Sequence, residues 1–175
     1  LGELASLPFT DAQARWAAGA APVEGVLVID IDDATLRELH PRLGAWPYPR
    51  DVYALAIETL RHAGARAIAI DLLLSEPGPG DVALGRALAR PGAPVVLAAA
   101  GLRDGSHLQL PPSRQTQPGT AAQDWPDLAL PASGIWLHTG ELPRTGLITN
   151  PLDADGRLRR MPLWFRSTDL RERSR

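Results

Sequence analysis

Apolar side chains in this chain alternate between short continuous runs and stretches of helical period. The first run, in residues 25–33, places Val26, Leu27, Val28, Ile29 and Ile31 between Gly25 and an acidic cluster. A β-branched, aliphatic run of this kind predicts a strand buried on both faces, as in a parallel sheet. A second run at 67–71 repeats the design, so that Asp30 and Asp71 each follow an apolar strand and would share one edge of the sheet. In open α/β sheets the edge beyond the carboxyl ends of the strands is where ligands bind.

Helical spacing fills the intervals. Phe9, Ala12, Trp16 and Ala20 predict an amphipathic helix within 4–20, with Thr10 and Asp11 as start signals, and this helix either packs on the sheet or continues upstream. After the first strand, Asp32, Asp33 and Thr35 supply acceptors for free N–H groups, and Thr35 with Glu38 fits a capping box, so a short helix runs to about His40 and stops at Pro41 and Gly44. From Asp51 the residues Val52, Leu55, Ala56, Leu60 and Ala63 predict a helix with one apolar stripe, closed by Gly64. The second strand follows at once, which makes a β-helix-β unit. Ser75 to Gly80 reads as a loop, Asp81 to Ala89 as a helix, and 94–99 as a third parallel strand. Residues 101–143 lack strong periodicity and predict an irregular excursion containing a short helix or strand. Residues 146–149 predict a strand; Asp155-Gly156 is a turn signal, and the pair of strands within 146–166 predicts an antiparallel hairpin with Pro162 at an edge or bulge. The fold class expected is α/β, a mixed central sheet with its first strands parallel and joined by β-helix-β crossovers, in one domain with its α/β core at 25–100.

Length and composition narrow the function. At 175 residues there is room for one well-buried core. There is no Cys, hence no disulfide, thiol chemistry or thiolate metal site. All 18 basic residues are Arg and the formal net charge is −2; no basic stripe interleaves with aromatics, so no nucleic-acid partner is expected. No apolar run reaches the ~20 residues needed to span a bilayer. The chain starts at Leu1 and ends in a highly polar stretch, which reads as a piece of a longer protein with room for a signal peptide or membrane helices on either side.

The candidate ligand-binding residues are Asp30, Asp32, Asp33, Trp46, Arg50, Asp71, Glu76 and Asp81. Asp30 and Asp71 would bind a cation or polar ligand at the strand ends, or accept backbone N–H bonds from the next loop. Trp46 and Arg50 belong to the segment Trp46-Pro47-Tyr48-Pro49-Arg50, whose two prolines stiffen the backbone. They would form an aromatic and cationic pocket wall, or Trp46 would plug the core end while Arg50 pairs with an acid. Asp155, Arg157, Arg159 and Arg160 would make an anion site or a solvated edge hairpin. Asp30, Asp32 and Asp33 also resemble the acidic opening of haloacid-dehalogenase-type phosphatases, although Ala34 stands where that motif has Thr or Val and no Lys exists for its later lysine. A small metal-dependent phosphoester hydrolase is therefore the alternative function. The four His residues have no ligand spacing, and no Ser lies in a nucleophile elbow, so no catalytic residue, metal site or cofactor is expected.

Taken in order, Ile29-Asp30 with Asp33 and Leu36, the Trp46-to-Arg50 segment ahead of Tyr53-Ala54, Ala69-Ile70-Asp71 with Ser75-Glu76-Pro77, Asp81 and Leu84, and Asp155-Gly156 with Arg159-Arg160 and Pro162 resemble the second type of CHASE domain. That resemblance implies an extracytoplasmic sensor, in the periplasm or at the cell exterior, within a bacterial inner or plasma membrane receptor. It implies membrane helices on either side, a cytoplasmic cyclase, histidine kinase or similar effector, an unknown small-molecule or protein signal, and a homodimer.

Overall fold

A computed structural model of the chain describes residues 9, 11–13, 15–16, 24–102, 123–125, 127–137, 140–150, 152–153, 155–159 and 165–167. Its regular elements are α1 (Asp33–Leu43), α2 (Arg50–His62), β1 (Ile68–Ile70), α3 (Asp81–Ala89), β2 (Val95–Leu102), β3 (Gln123–Trp125), β4 (Asp127–Ala129), α4 (Ser133–Trp136), β5 (Thr145–Leu147) and β6 (Phe165–Ser167).

β2 is the spine of the sheet. It pairs in parallel with β1, Ile68 opposite Val95, and with β5, Leu97 opposite Thr145. Its far end turns to an antiparallel pairing with β4, Ala100 opposite Ala129. The mixed α/β architecture with a parallel-stranded sheet is thus present. Its third parallel strand is β5 and not the 26–31 run. That run forms no strand, and Val26, Leu27, Val28 and Ile29 are 64–81% exposed. A continuous apolar run demands cover without naming it, and only Ile31 of this segment packs against the core.

Of the expected C-terminal hairpin, the strand at 146–149 overlaps β5, which belongs to the β2 sheet, while most of the second strand, at 158–165, lies outside the described residues. β6 pairs in parallel with β3, Gln123 opposite Phe165. The Asp155-Gly156 turn is present: Gly156, at φ 77, donates to the Asp153 carbonyl and closes it. The side chains of 160–164, including Arg160 and Pro162, lie outside the described residues.

The core sits where α2, α3 and α4 meet the sheet. Tyr53 and Ile57 of α2, Leu84 of α3 and Ile135 of α4 bury against Ile68, Val95 and Leu97. In α2 the buried face is Arg50, Tyr53, Ala54 and Ile57, one position off the expected stripe, and Leu55 faces water. Both registers have helical period; the arginine of the winning one finds the buried polar partners described below. α3 and α4 approach closely because Gly85 has no side chain: a Cβ there would collide with the Ile135 carbonyl. At the opposite end of α2, the Arg61 guanidinium donates to the Ala87 carbonyl at 2.7 Å and to the Ala93 carbonyl at 3.1 Å, tying the end of α3 and the approach to β2 to the helix.

α1 runs three residues beyond the expected stop, through Pro41 to Leu43. Proline lacks an N–H, which leaves the Arg37 carbonyl without its helical donor, but no residue of α1 is buried and water can take that place. Residues 9, 11–13, 15 and 16 are helical, with Phe9 and Trp16 exposed, so these two aromatics do not pack on the sheet.

Candidate functional site

A concave surface lies between α1 and the proline-rich segment that follows it. Asp32 starts α1: its carboxylate accepts from the Thr35 N–H and hydroxyl, both at 2.8 Å, and the N–H bond holds its carboxyl below the usual range. This cap is Asp32, where the capping box had pointed to Thr35. Leu36, Arg37 and His40, at i, i+1 and i+4, then share one side of the helix.

Gly44, at φ 81, turns the chain back, and Ala45, Trp46 and Tyr48 form the facing wall. The Trp46–Pro47 peptide is cis. The rings of Trp46 and Tyr48 meet edge to face, centroids 5.2 Å apart and planes at 78°. Tyr48 is 2% exposed and anchors the wall, whereas Trp46 is 42% exposed and remains open to a ligand. The resulting cavity measures about 380 Å³ and is lined by Leu36, Arg37, His40, Ala45, Trp46 and Tyr48. That volume is near the lower end of small-molecule sites, roughly 300–1,000 Å³. Its chemistry is two aromatic rings and two small apolar groups beside one guanidinium and one imidazole. No described residue pairs with Arg37, so its charge is available.

Behind the aromatic wall is a buried polar cluster. Arg50, the first residue of α2, places its Nε 3.6 Å from Asp81 Oδ1, both side chains under one-tenth exposed, and its Nη2 donates to the Glu76 carbonyl at 3.2 Å. Asp81 Oδ2 accepts from the Gly78 N–H at 3.0 Å. The loop from Ser75 to Gly80 is glycine-rich because it wraps this pair. A Cβ on Gly80, at φ 83, would collide with the Asp51 N–H, and one on Gly78 would press on the Arg50 guanidinium at 3.3 Å. The Tyr48 and Tyr53 hydroxyls, Arg50 Nε and Asp81 Oδ1 are buried without a hydrogen-bond partner among the described residues. Burial pushes the Tyr53 phenol up, and the Arg50 charge partly offsets it.

The expected site residues therefore divide into three groups. Arg50, Asp81 and the Glu76 backbone come together, with the Glu76 side chain exposed. Trp46 joins a different surface, the cavity, and does not plug the core; Tyr48 does. Asp30, Asp33 and Asp71 are exposed, and Asp32 is engaged as a helix cap. Because the 26–31 run forms no strand, Asp30 and Asp71 do not terminate neighbouring strands. Among the described residues no three His, Asp or Glu side chains are grouped to hold a metal ion. Arg37, His40 and Tyr53 are not singled out in the sequence reading, though Arg37 and His40 are visible as polar neighbours one helical turn apart facing a stiff aromatic segment.

Arg157 and Arg159 are engaged by carboxylates. Arg159 donates to Asp11 at 2.6 Å, to Asp153 at 3.0 Å and to Asp155 at 2.6 Å, and Arg157 donates to Asp11 at 2.7 Å. The Arg159 guanidinium holds Asp155 down to about 2. This is a clasp between the N-terminal helical residues and the 153–157 turn; it engages Asp155, Arg157 and Arg159 of the set read as an anion site or a solvated edge hairpin, and Arg160 lies outside the described residues.

No described helix is long and apolar enough to cross a membrane. No curated protein and no solved structure matches the chain. The family model of the CHASE2 domain matches residues 2–173. With nearly its whole length inside that match, the chain belongs to the CHASE2 family of extracellular domains, a sensory and not a catalytic family.

Proposed function

We propose that this chain is the extracytoplasmic signal-sensing domain of a bacterial transmembrane receptor, and that its signal enters the cavity between α1 and Trp46. The observation that carries this reading is the pairing of an open, braced tryptophan with Arg37, which has no partner among the described residues, across about 380 Å³. An arginine in a partly apolar recess selects an anionic group, and an edge-to-face aromatic wall selects a flat apolar body. The ligand class is therefore a small carboxylate carrying an aromatic ring, with the His40 imidazole as a second polar contact.

Reception alone does not signal; the ligand must bind two states of the receptor unequally. Tyr48 belongs both to the cavity wall and to the buried core around Tyr53, and Arg50 and Asp81 lie next in line. A partly satisfied polar cluster has more than one arrangement of similar energy, so a ligand that shifts Tyr48 changes which partners Arg50 and the 75–80 loop hold. Membrane helices outside the chain would carry that change to a cytoplasmic cyclase, kinase or similar effector.

Calorimetric titration of the 175-residue chain with benzoate, phenylacetate and neutral benzyl alcohol tests the reading. The carboxylates bind at least tenfold more tightly than the alcohol, and Arg37→Gln removes that difference. Equal binding of acid and alcohol, or carboxylate binding untouched by Trp46→Ala, would sink it.

A further inference from the structure

Two of the six residues that line the cavity are basic, Arg37 and His40. Among the described residues neither the guanidinium nor the imidazole has a side-chain hydrogen bond or ion pair. They stand three positions apart on α1, adjacent on its surface, and both are exposed. We propose that His40 makes this a proton-linked site, which takes an aromatic carboxylate together with a proton that rests on the imidazole. The inference builds on the ligand reading above and adds a pH dependence that the arginine alone does not confer. Arginine stays charged throughout, and a carboxylic acid ligand stays ionised above about pH 5. Histidine is the side chain whose ordinary charge change falls between these limits and pH 8.

The surroundings of His40 decide the direction of that dependence. The positions that share its face of the helix are Leu36, Arg37, Leu43 and the capping Gly44, of which only Arg37 is charged. Glu38 and Arg42, each two positions away, do not face it. The opposite wall contributes Ala45, Trp46 and Tyr48, and its one titratable group is the Tyr48 phenol, whose hydroxyl is buried. No described carboxylate therefore stands against the imidazole, and a bound carboxylate is the anion it meets. A neighbouring anion favours the charged form of an imidazole, so binding draws a proton from solvent onto His40. By reciprocity, a proton on His40 favours the ligand. Affinity for a carboxylate rises as pH falls through the imidazole range and levels off above it, while a neutral ligand gains nothing.

Because the pair is open to water, the gain is modest, about three- to fivefold tighter binding at pH 5.5 than at pH 8. Outside the cytoplasm the pH follows the medium, so a domain of this extracellular family would register the same aromatic acid more strongly in acid surroundings.

Calorimetric titration of the 175-residue chain with phenylacetate at pH 5.5 and at pH 8 tests this, with benzyl alcohol as the neutral probe. Repeating the phenylacetate titration at pH 7 in phosphate and in Tris, whose heats of ionisation differ, counts the protons taken up on binding. The expected results are the tighter binding of phenylacetate in acid, a net uptake of part of a proton at pH 7, and no change with pH for the alcohol. His40→Gln, which keeps a donor but no titratable charge, should bring the affinity ratio to one and the uptake to zero. His62→Gln, in α2 and outside the cavity, should keep both. Equal affinity for phenylacetate at the two pH values overturns the proton link and leaves the ligand reading standing. So does zero proton uptake, an equal ratio for the alcohol, or a ratio that survives in His40→Gln. Phenylacetate that binds at neither pH overturns both.

Discussion

Removing Asp81 should cost far more than removing its partner Arg50. The two are not equivalent in their surroundings. Arg50 is the first residue of α2, where a cation meets the positive end of the helix, and its Nε has only the Asp81 carboxylate at 3.6 Å. Asp81 is the first residue of α3, where an anion is favoured, and it keeps the Gly78 N–H at 3.0 Å whatever happens to Arg50. Asp81→Asn leaves a buried guanidinium at an unfavourable helix end, which costs about 3–5 kcal/mol. Arg50→Met leaves a carboxylate still served by an N–H and a helix terminus, a loss of about 1–3 kcal/mol. In the double variant Arg50→Met/Asp81→Leu no buried charge is left over, so it is more stable than Asp81→Asn alone. Urea unfolding of the four proteins, followed by circular dichroism, ranks them. If Asp81→Asn loses under 1 kcal/mol, or if Arg50→Met proves the costlier change, the pair does not organise the 75–80 loop as argued.

Further tests address the helix face, the close packing and the clasp. Ile57→Ala, at a fully buried position of α2, should lose about 2–5 kcal/mol, whereas Leu55→Ala, 69% exposed, stays within about 0.5 kcal/mol; equal losses in urea would mean the buried face is misassigned. Gly85→Ala drives a methyl into the Ile135 carbonyl and should cost about 1–3 kcal/mol, with an unchanged melting temperature as the contrary result. Carboxyl NMR should find Asp155 titrating at about 2, below its unfolded value. The clasp's contribution to stability is accordingly present above the unfolded carboxylate range and fades as pH falls toward 2. Arg159→Gln should return Asp155 to the ordinary carboxylate range, and an ordinary value in the unsubstituted chain would show that the clasp does not form in solution.

Elements whose cover comes from their sequence neighbours were legible. β1, α3 and β2 follow one another, bury against each other and lie where the apolar runs put them. α2 was legible as a helix but its face was not, because Leu55 and Ile57 are equally apolar. What distinguishes them is Arg50 on the Ile57 side, a polar residue whose buried partners come from 76–81. The 26–31 run failed because its apolarity asks for burial without naming the cover, and no described strand pairs with it. β5 took the third parallel place through Leu97 and Ala99, a pairing across nearly fifty residues that no local pattern announces. The site was half visible. The acids drew attention to strand ends, yet the cavity is built by Trp46 from the stiff segment together with Arg37 and His40, which read as ordinary helix-surface residues until α1 was set opposite the aromatic wall.

The reading of this domain as a receiver of aromatic carboxylates is tested most directly at the Trp46 indole. In proton–nitrogen NMR spectra of the ¹⁵N-labelled chain, phenylacetate should shift the Trp46 Nε1–H signal saturably, while benzyl alcohol at the same concentrations leaves it in place and Arg37→Gln abolishes the shift. An indole signal that phenylacetate does not move, or that acid and alcohol move alike, would contradict the account.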